Sequence, residues 1–169
     1  YSYGALFHNT GNIASISGNF INNRVETDDY ILSAGILNRV GKIESINGNF
    51  IGNKAVSKNN FILGGVIRNA SPIGKISANF IANGAISYSK NVDGGAISNS
   101  GTIDEIINSN FYGNYAISEA GDLVRGGAIL SATTLNITAD GEKSIFKGNY
   151  TKSGDIIDDN AIYSVRGAA

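Results

Sequence analysis

Residues 76–85 read Ile-Ser-Ala-Asn-Phe-Ile-Ala-Asn-Gly-Ala, and residues 94–97 read Gly-Gly-Ala-Ile. Versions of both stretches recur along the 169-residue chain. The Phe of the first stretch returns at intervals of 30, 30, 31 and 35 residues, at Phe20, Phe50, Phe80, Phe111 and Phe146. Two independent motifs with one period predict a repeat protein made of five full copies and a final partial copy.

The pattern inside each repeat is that of a strand. Ile76, Ala78 and Phe80 alternate with residues that face the other side, as in a strand with one buried face. The chain has 25 Ile against 7 Leu, together with 22 Gly and 22 Asn, which favours short strands and tight turns. We expect three strands per unit, one at Gly-Gly-Ala-Ile, one through the Phe and one after the Asn, as at residues 60–63. The sequence therefore predicts an all-β fold, a right-handed parallel β-helix (solenoid) of five to six coils of roughly 30 residues.

The leucine-rich repeat is the alternative fold, because Phe-x-x-Asn-x-Val at residues 20–25 imitates part of its consensus. Its units run about 20–29 residues and prefer Leu. The scarcity of Leu and the lack of a helical segment between the motifs favour the β-helix.

Stacking explains why the same residues recur. Coils of a β-helix lie about 4.8 Å apart, so each residue lies on its equivalent in the next coil, and the Phe column is expected to fill the core. We expect the Asn three residues after each Phe to turn inward and bond the backbone of its own turn and the Asn of the next coil. The double Gly predicts a second corner, with positive φ or close backbone approach. The predicted Asn ladder consists of Asn23, Asn53, Asn83, Asn114 and Asn149.

The alignment on Phe also predicts the register. Ile107 is expected to lie on Ile76, and Glu142 takes the corresponding place in the fifth copy. Parallel strands stacked in register are expected over residues 16–21, 46–51, 76–81 and 107–112.

Composition excludes several classes of protein. The net charge is −1, from 13 basic and 14 acidic residues, which argues against nucleic-acid binding. There is no Cys and therefore no disulfide scaffold. No run approaches the roughly 18 apolar residues that a membrane-spanning helix needs.

Acidic residues form no ladder of the kind that β-helical lyases and hydrolases use. The adjacent pairs Asp28-Asp29, Asp104-Glu105 and Asp158-Asp159 point to opposite faces and are read as solvated turns. His8 is the only histidine and there is no Cys, so no second His or Cys is present to complete a metal site with it. We expect no catalytic residues, no metal and no cofactor, and hence not an enzyme.

Basic residues cluster in the middle of the chain, where residues 30–100 carry 7 basic and 2 acidic side chains. Such residues, with an aromatic ring, suit an acidic sugar or another anionic partner, although they also suit a solvated surface. The candidate ligand-binding face consists of Arg39, Lys42, Lys54, Lys58, Arg68, Lys75 and Tyr88, with Tyr88 beside Lys58 on adjacent coils.

The alternation of the two motifs resembles the repeats of chlamydial polymorphic outer-membrane proteins, and more broadly the β-helical passenger domains of autotransporter adhesins. The resemblance covers nearly the whole chain. The residues that carry it are Gly94-Gly95-Ala96-Ile97, Gly126-Gly127-Ala128-Ile129, Phe20-Ile21-Asn22-Asn23, Phe50-Ile51-Gly52-Asn53, Phe111-Tyr112-Gly113-Asn114 and Phe146-Lys147-Gly148-Asn149.

The resemblance implies a secreted or bacterial cell-surface passenger that binds a host-surface protein or glycan. The family's signal peptide and C-terminal membrane barrel are not in this sequence, so attachment to the outer membrane is expected only through such a barrel. Residues 1–169 are read as one β-helix domain and a section of a longer passenger.

Two alternatives remain open at this point. The first is a structural module whose copies stack end to end into a fibre, since Gly4 and Asn160 begin and end the chain within the same motif and no capping segment is evident. Outward Ile21, Ile51 and Ile81 would form an apolar stripe for a partner or for lateral assembly. The second is a polysaccharide lyase or hydrolase.

Overall fold

A computed structural model describes residues 6–159 and 161–164. Within these residues there is no helix, and the chain winds through about five turns of a β-solenoid whose neighbouring turns pair in parallel. We number the coils 1 to 5 by the Phe that each contains, from Phe20 to Phe146. The expected all-β parallel solenoid is confirmed, whereas the motif residues Gly4 and Asn160 lie outside the described residues.

Four sheets run along the solenoid, and we number them by their order within a coil. Sheet 1 contains Ile13–Ile21, Ile43–Ile51, Ile73–Ile81, Ile103–Ile107, Asn110–Tyr112, Ile137–Thr138 and Ile145–Lys147. Sheet 2 contains Arg24–Thr27, Lys54–Ser57, Gly84–Ser87, Tyr115–Ser118, Tyr150–Ser153 and Ile156–Asp158. Sheet 3 contains Ile62–Leu63, Val92–Asp93 and Val124–Arg125. Sheet 4 contains Phe7–Asn9, Ile36–Asn38, Ile67–Asn69, Ile97–Asn99, Ile129–Ser131 and Ile162–Ser164.

The stretch after the corner Asn forms two short strands, not the single strand expected. In coil 2 a turn separates Lys54–Ser57 from Ile62–Leu63. The Ser57 hydroxyl donates to the carbonyl of Asp29 at 2.8 Å and accepts the backbone N–H of Asn60 at 3.0 Å. Because the chain turns at this point, coils 2 to 4 each contain a strand of sheet 2 and a strand of sheet 3 where the sequence predicts a single strand.

Inward-facing columns fill a narrow core. The rings of Phe50, Phe80 and Phe111 are fully buried, and successive rings of the Phe column stack with centroids 4.6–4.9 Å apart. Ile columns from sheets 1 and 4 pack around these rings. Burying one side chain of this size contributes roughly 1.5–3 kcal/mol, so the repeated columns supply the main stabilising term. The predicted Phe column is confirmed, with Phe20 and Phe146 only partly buried at its two ends.

The predicted register holds in coils 1 to 3, where residues 16–21, 46–51 and 76–81 stack in parallel. Coil 4 differs, because Ile106 and not Ile107 pairs with Ile76. The extra residue is accommodated where Asn108 adopts a φ of 49°. The strand expected over residues 107–112 is therefore interrupted, and it resumes at Asn110–Tyr112.

Coil 5 carries a longer insertion at the same place. Ile137 pairs with Ile106, so Glu142 is not the equivalent of Ile76 as the alignment predicted. The chain then loops out, with an antiparallel bridge between Asp140 and Glu142, and returns to sheet 1 at Ile145–Lys147. An alignment on Phe alone does not reveal this loop. Ile137 before the loop and Phe146 after it both pair in register with coil 4.

An antiparallel strand ends sheet 2. Ile156–Asp158 pairs with Tyr150–Ser153, although the sequence suggested no strand that would close the stack. Ile156 and Ile157 are 73% and 64% exposed. The strand therefore covers the backbone edge of sheet 2 without covering the core.

Candidate functional site

The predicted Asn ladder is present at the corner between sheets 1 and 2. Asn83 Nδ2 donates to Asn114 Oδ1 at 3.0 Å and to the carbonyl of Phe50 at 2.8 Å. Asn83 Oδ1 accepts the backbone N–H and the Nδ2 of Asn53, at 3.0 and 2.9 Å. The same bonds link Asn23, Asn53, Asn83, Asn114 and Asn149. The backbone partner is the Phe of the preceding coil and not the residue's own turn, so each amide also ties two coils together.

A second Asn ladder, which we did not predict, lies at the end of sheet 4. It links Asn9, Asn38, Asn69 and Asn99 through Nδ2 to Oδ1 bonds of 2.8–2.9 Å. In coil 4 the Asn is replaced by Ser131, whose Oγ accepts Asn99 Nδ2 at 3.0 Å. The signal was present in the sequence, because an Ile-x-Asn follows the double-Gly motif in coils 2 and 3.

A third ladder runs along the outer face of sheet 1. Asn19, Asn49, Asn79 and Asn110 are joined by bonds of 2.8 Å. Beside it lie the outward Ile21, which is 50% exposed, and the half-buried Ile51 and Ile81, so the expected apolar stripe is present. Together the three ladders hold the coils in one register and make the solenoid a rigid support for its surface residues.

A surface groove lies at the double-Gly corner between sheets 3 and 4. Gly94 has a φ of 73°, and a Cβ there would collide with the carbonyl of Ile97, so only Gly fits. Two positions in each of coils 2 to 4 line a common groove of about 170 Å³. One is the residue before the first Gly, such as Asp93, and the other is the third residue after the second Gly, such as Ser98. Leu63 and Leu130 form apolar parts of its wall. We call this feature the corner groove.

Three charged side chains from successive coils line the corner groove: Arg68, Asp93 and Arg125. Arg125 binds Asp93 bidentately, with Nε–Oδ1 and Nη2–Oδ2 distances of 2.8 Å each. The Arg125 guanidinium also lies 5.9 Å from the ring centroid of Tyr163. Asp93 is 6% exposed, which is low for a carboxylate and is possible because both of its oxygens are engaged. The pair therefore forms a fixed, neutral part of the groove.

Arg68 supplies the uncompensated charge. Its Nη1 contacts the Ser98 hydroxyl at 3.3 Å and the carbonyl of Asn69 at 3.3 Å. No carboxylate among the described residues lies within ion-pair distance of it. Burial lowers the pKa of Arg68, and the nearby Asp93 partly opposes that shift. A guanidinium that is desolvated without an ion pair would be stabilised by an anion bound in the groove.

The other residues of the predicted basic face do not gather around Arg68. Lys54 lies on sheet 2 and Lys75 on sheet 1, while Arg39 follows sheet 4 and is exposed. Three of the lysines form ion pairs with carboxylates: Lys42 with Glu44 at 2.7 Å, Lys58 with Asp28 at 3.2 Å and Lys75 with Glu105 at 3.9 Å. The hydrogen bond to Glu44 raises the pKa of Lys42. The expectation of one shared face is wrong, because position within the coil and not charge count decides which sheet a residue joins.

Tyr88 does neighbour Lys58, since the strands Lys54–Ser57 and Gly84–Ser87 that precede them pair in register. On the same sheet Lys54 Nζ lies 5.9 Å from the centroid of Tyr115. The Tyr115 ring covers Gly84, where a Cβ would collide with it. Sheet 2 thus carries an aromatic and basic patch that is separate from the corner groove.

Asp93 and Arg125 were not singled out from the sequence. Each immediately precedes a double Gly, as Leu63 does, so an alignment on that motif places the three in one column. Within residues 6–159 and 161–164, no group of three or more His, Cys, Asp or Glu side chains is placed to hold a metal ion.

No family model matches the chain, and no curated protein or solved structure matches it either. In the part of the chain that the structure describes, no helix has the length and apolar character needed to cross a membrane.

Proposed function

We propose that this chain is a rigid binding module of a secreted or cell-surface passenger protein, and that its corner groove holds an acidic group of a host-surface partner. The observation that carries the proposal is Arg68, a half-buried guanidinium without an ion pair among the described residues, beside the fixed Arg125–Asp93 pair. Guanidinium groups bind carboxylates through planar, paired hydrogen bonds, which gives such a site chemical selectivity.

The rigidity of the support favours binding. The groove draws side chains from coils 2, 3 and 4, and their spacing is held by the amide ladders on either side of the coil. A preorganised site loses little side-chain freedom when a ligand arrives, so even a small groove retains useful affinity. The repeat resemblance to autotransporter passengers supports the surface location.

The chemistry proposed is binding without turnover. Asp93 is the only acidic side chain that lines the corner groove among the described residues, and Arg125 engages both of its oxygens. A lyase or hydrolase acting here would need a second acid or base group positioned in the same groove.

A structural module is the second candidate, and the stripe of Ile21, Ile51 and Ile81 favours it. An apolar row on the outer face of a sheet suits lateral contact with another copy. Under this alternative the chain has no acidic partner and forms assemblies at high concentration. Sedimentation measurements would detect these assemblies.

The test compares three proteins on a glycan array and on intact host cells. Wild type is expected to bind, Arg68→Gln to lose at least tenfold in apparent affinity, and Lys75→Gln to bind as wild type does. Lys75→Gln is a matched control because it also removes one positive charge, at a position on sheet 1 a few residues further along the chain and outside the corner groove. Binding that Arg68→Gln leaves unchanged would contradict the proposal, and absence of binding by wild type to any surface would favour the structural module.

A further inference from the structure

The dimensions and lining of the corner groove restrict what its ligand can be. Its volume of about 170 Å³ is below the roughly 300–1,000 Å³ of sites that enclose a drug-sized molecule. One monosaccharide unit or one side chain is the size of group that enters it.

Charge restricts the ligand further. Arg68, Arg125 and Asp93 sum to one net positive charge, and Arg68 is the group that lacks a counterion among the described residues. The Arg125–Asp93 pair shows that a planar carboxylate fits against a guanidinium within this groove, with both N–O distances at 2.8 Å. Arg68 carries the same planar guanidinium as Arg125, so a carboxylate is the anion whose geometry suits it.

The remaining lining distinguishes a sugar acid from an acidic peptide side chain. Ser98, Asn99 and Ser100 contribute to the wall next to Arg68, while Leu63 and Leu130 contribute apolar surface. A sugar presents hydroxyl groups and apolar C–H faces together, whereas an Asp or Glu side chain has no hydroxyl to use on the serines. The mixture of hydroxyl and apolar walls around Arg68 matches the sugar better.

We propose that the corner groove recognises a single uronic-acid unit of a glycan, with the sugar carboxylate on Arg68, its hydroxyls on Ser98 and the adjacent polar wall, and its C–H face on Leu63 and Leu130. This inference rests on the groove being the binding site of the proposed function. To the proposed function it adds the chemical class of the ligand and the part of the ligand that each wall of the groove contacts.

The experiment uses small probes on the full 169-residue chain. Methyl β-D-glucuronide, methyl β-D-glucoside and acetate are titrated separately, and binding is followed by amide chemical shifts of residues 98–100 and by calorimetry. We expect the glucuronide to bind at least tenfold more tightly than either of the others, since the glucoside lacks the carboxylate and acetate lacks the hydroxyls. Equal affinity for acetate and glucuronide would overturn the sugar assignment, and equal affinity for glucoside and glucuronide would overturn the role of Arg68.

Variants separate this inference from the proposed function. Arg68→Gln is expected to weaken glucuronide binding at least tenfold and Ser98→Ala by a smaller factor, with Lys75→Gln unchanged. If Arg68→Gln abolishes binding to host surfaces while wild type ignores glucuronide, the uronate assignment is wrong and the binding module stands. If glucuronide binds in an Arg68-dependent way but no surface does, the uronate site stands and the surface role is wrong.

Discussion

At the residue scale, one Asn side chain in each coil forms the hydrogen bonds of the corner between sheets 1 and 2. At the corner between sheets 1 and 2, the backbone N–H of the ladder Asn and the carbonyl of the Phe on the preceding coil bond to Asn side chains and not to the backbone. Asn53 illustrates this, with Nδ2 bonded to Phe20 O and to Asn83 Oδ1, and its own Oδ1 accepting from Asn23. Because all of these groups are buried or nearly so, removing one amide leaves partners on two coils unsatisfied.

Asn53→Ala is therefore expected to lower the free energy of unfolding much more than Asn47→Ala. Each buried group left without a partner costs roughly 1–3 kcal/mol. Asn47 is a fair comparison because it is half-buried on the outer face, and among the described residues its side chain bonds to Ser45 Oγ alone, at 3.3 Å. Urea unfolding of the two variants measures the difference. Equal midpoints would show that the ladder contributes no more than an outer-face polar contact.

At the scale of the element, the double-Gly corner joins two short strands that could not otherwise meet at this angle. Its first Gly has positive φ in coils 2, 3 and 4, and in each a Cβ would collide with the carbonyl three residues later. The corner also brings the residues before it and after it to the corner groove. The glycine that permits the turn therefore also determines the position of the residues that line the corner groove.

Gly94→Ala is expected to destabilise the protein by about 1–3 kcal/mol or more, because a side chain at this φ is strained as well as crowded. Gly11→Ala is the control, since φ there is not in the positive range and no atom lies within 4 Å of the added Cβ. That variant should be neutral or slightly stabilising, by about 0.4–1 kcal/mol. Thermal unfolding of both proteins checks the prediction, and a loss in Gly11→Ala as large as in Gly94→Ala would refute it.

For the whole molecule, stability is the sum of contacts between neighbouring coils, as in other solenoids. Phe80 illustrates this, because it stacks on Phe50 at 4.9 Å and on Phe111 at 4.8 Å and is fully buried. Phe146 stacks on Phe111 at 4.6 Å and is only partly buried. A column of this kind gives its inner members more contacts than its outer ones.

We expect Phe80→Ala to cost about 3–5 kcal/mol of unfolding free energy and Phe146→Ala clearly less. Guanidinium unfolding of each variant gives the two values. Amide exchange in wild type should accordingly be slowest in coils 2 to 4. A larger loss in Phe146→Ala would mean that coil 5 and not the central stack dominates stability.

The period, the parallel stacking, the Phe column and the first Asn ladder were all determined by the sequence, because stacked coils repeat each inward position in chain order. The second Asn ladder could also have been found, from the Ile-x-Asn after the double Gly. Register across the insertions was not predictable from the Phe alignment, since Ile106 and Ile107 are alike in chemistry and only strand pairing distinguishes them.

The candidate site was decided by the tertiary structure. Arg68 was among the predicted ligand-binding residues, yet its charged neighbours Asp93 and Arg125 come from the two following coils and from the other side of the double Gly. Periodicity within a strand tells which residues share a face, but it does not give the angle at a corner or the direction of long side chains between coils. The corner angle and the direction of these side chains together form the corner groove. Both depend on packing over several coils, and the sequence of a single repeat does not specify that packing.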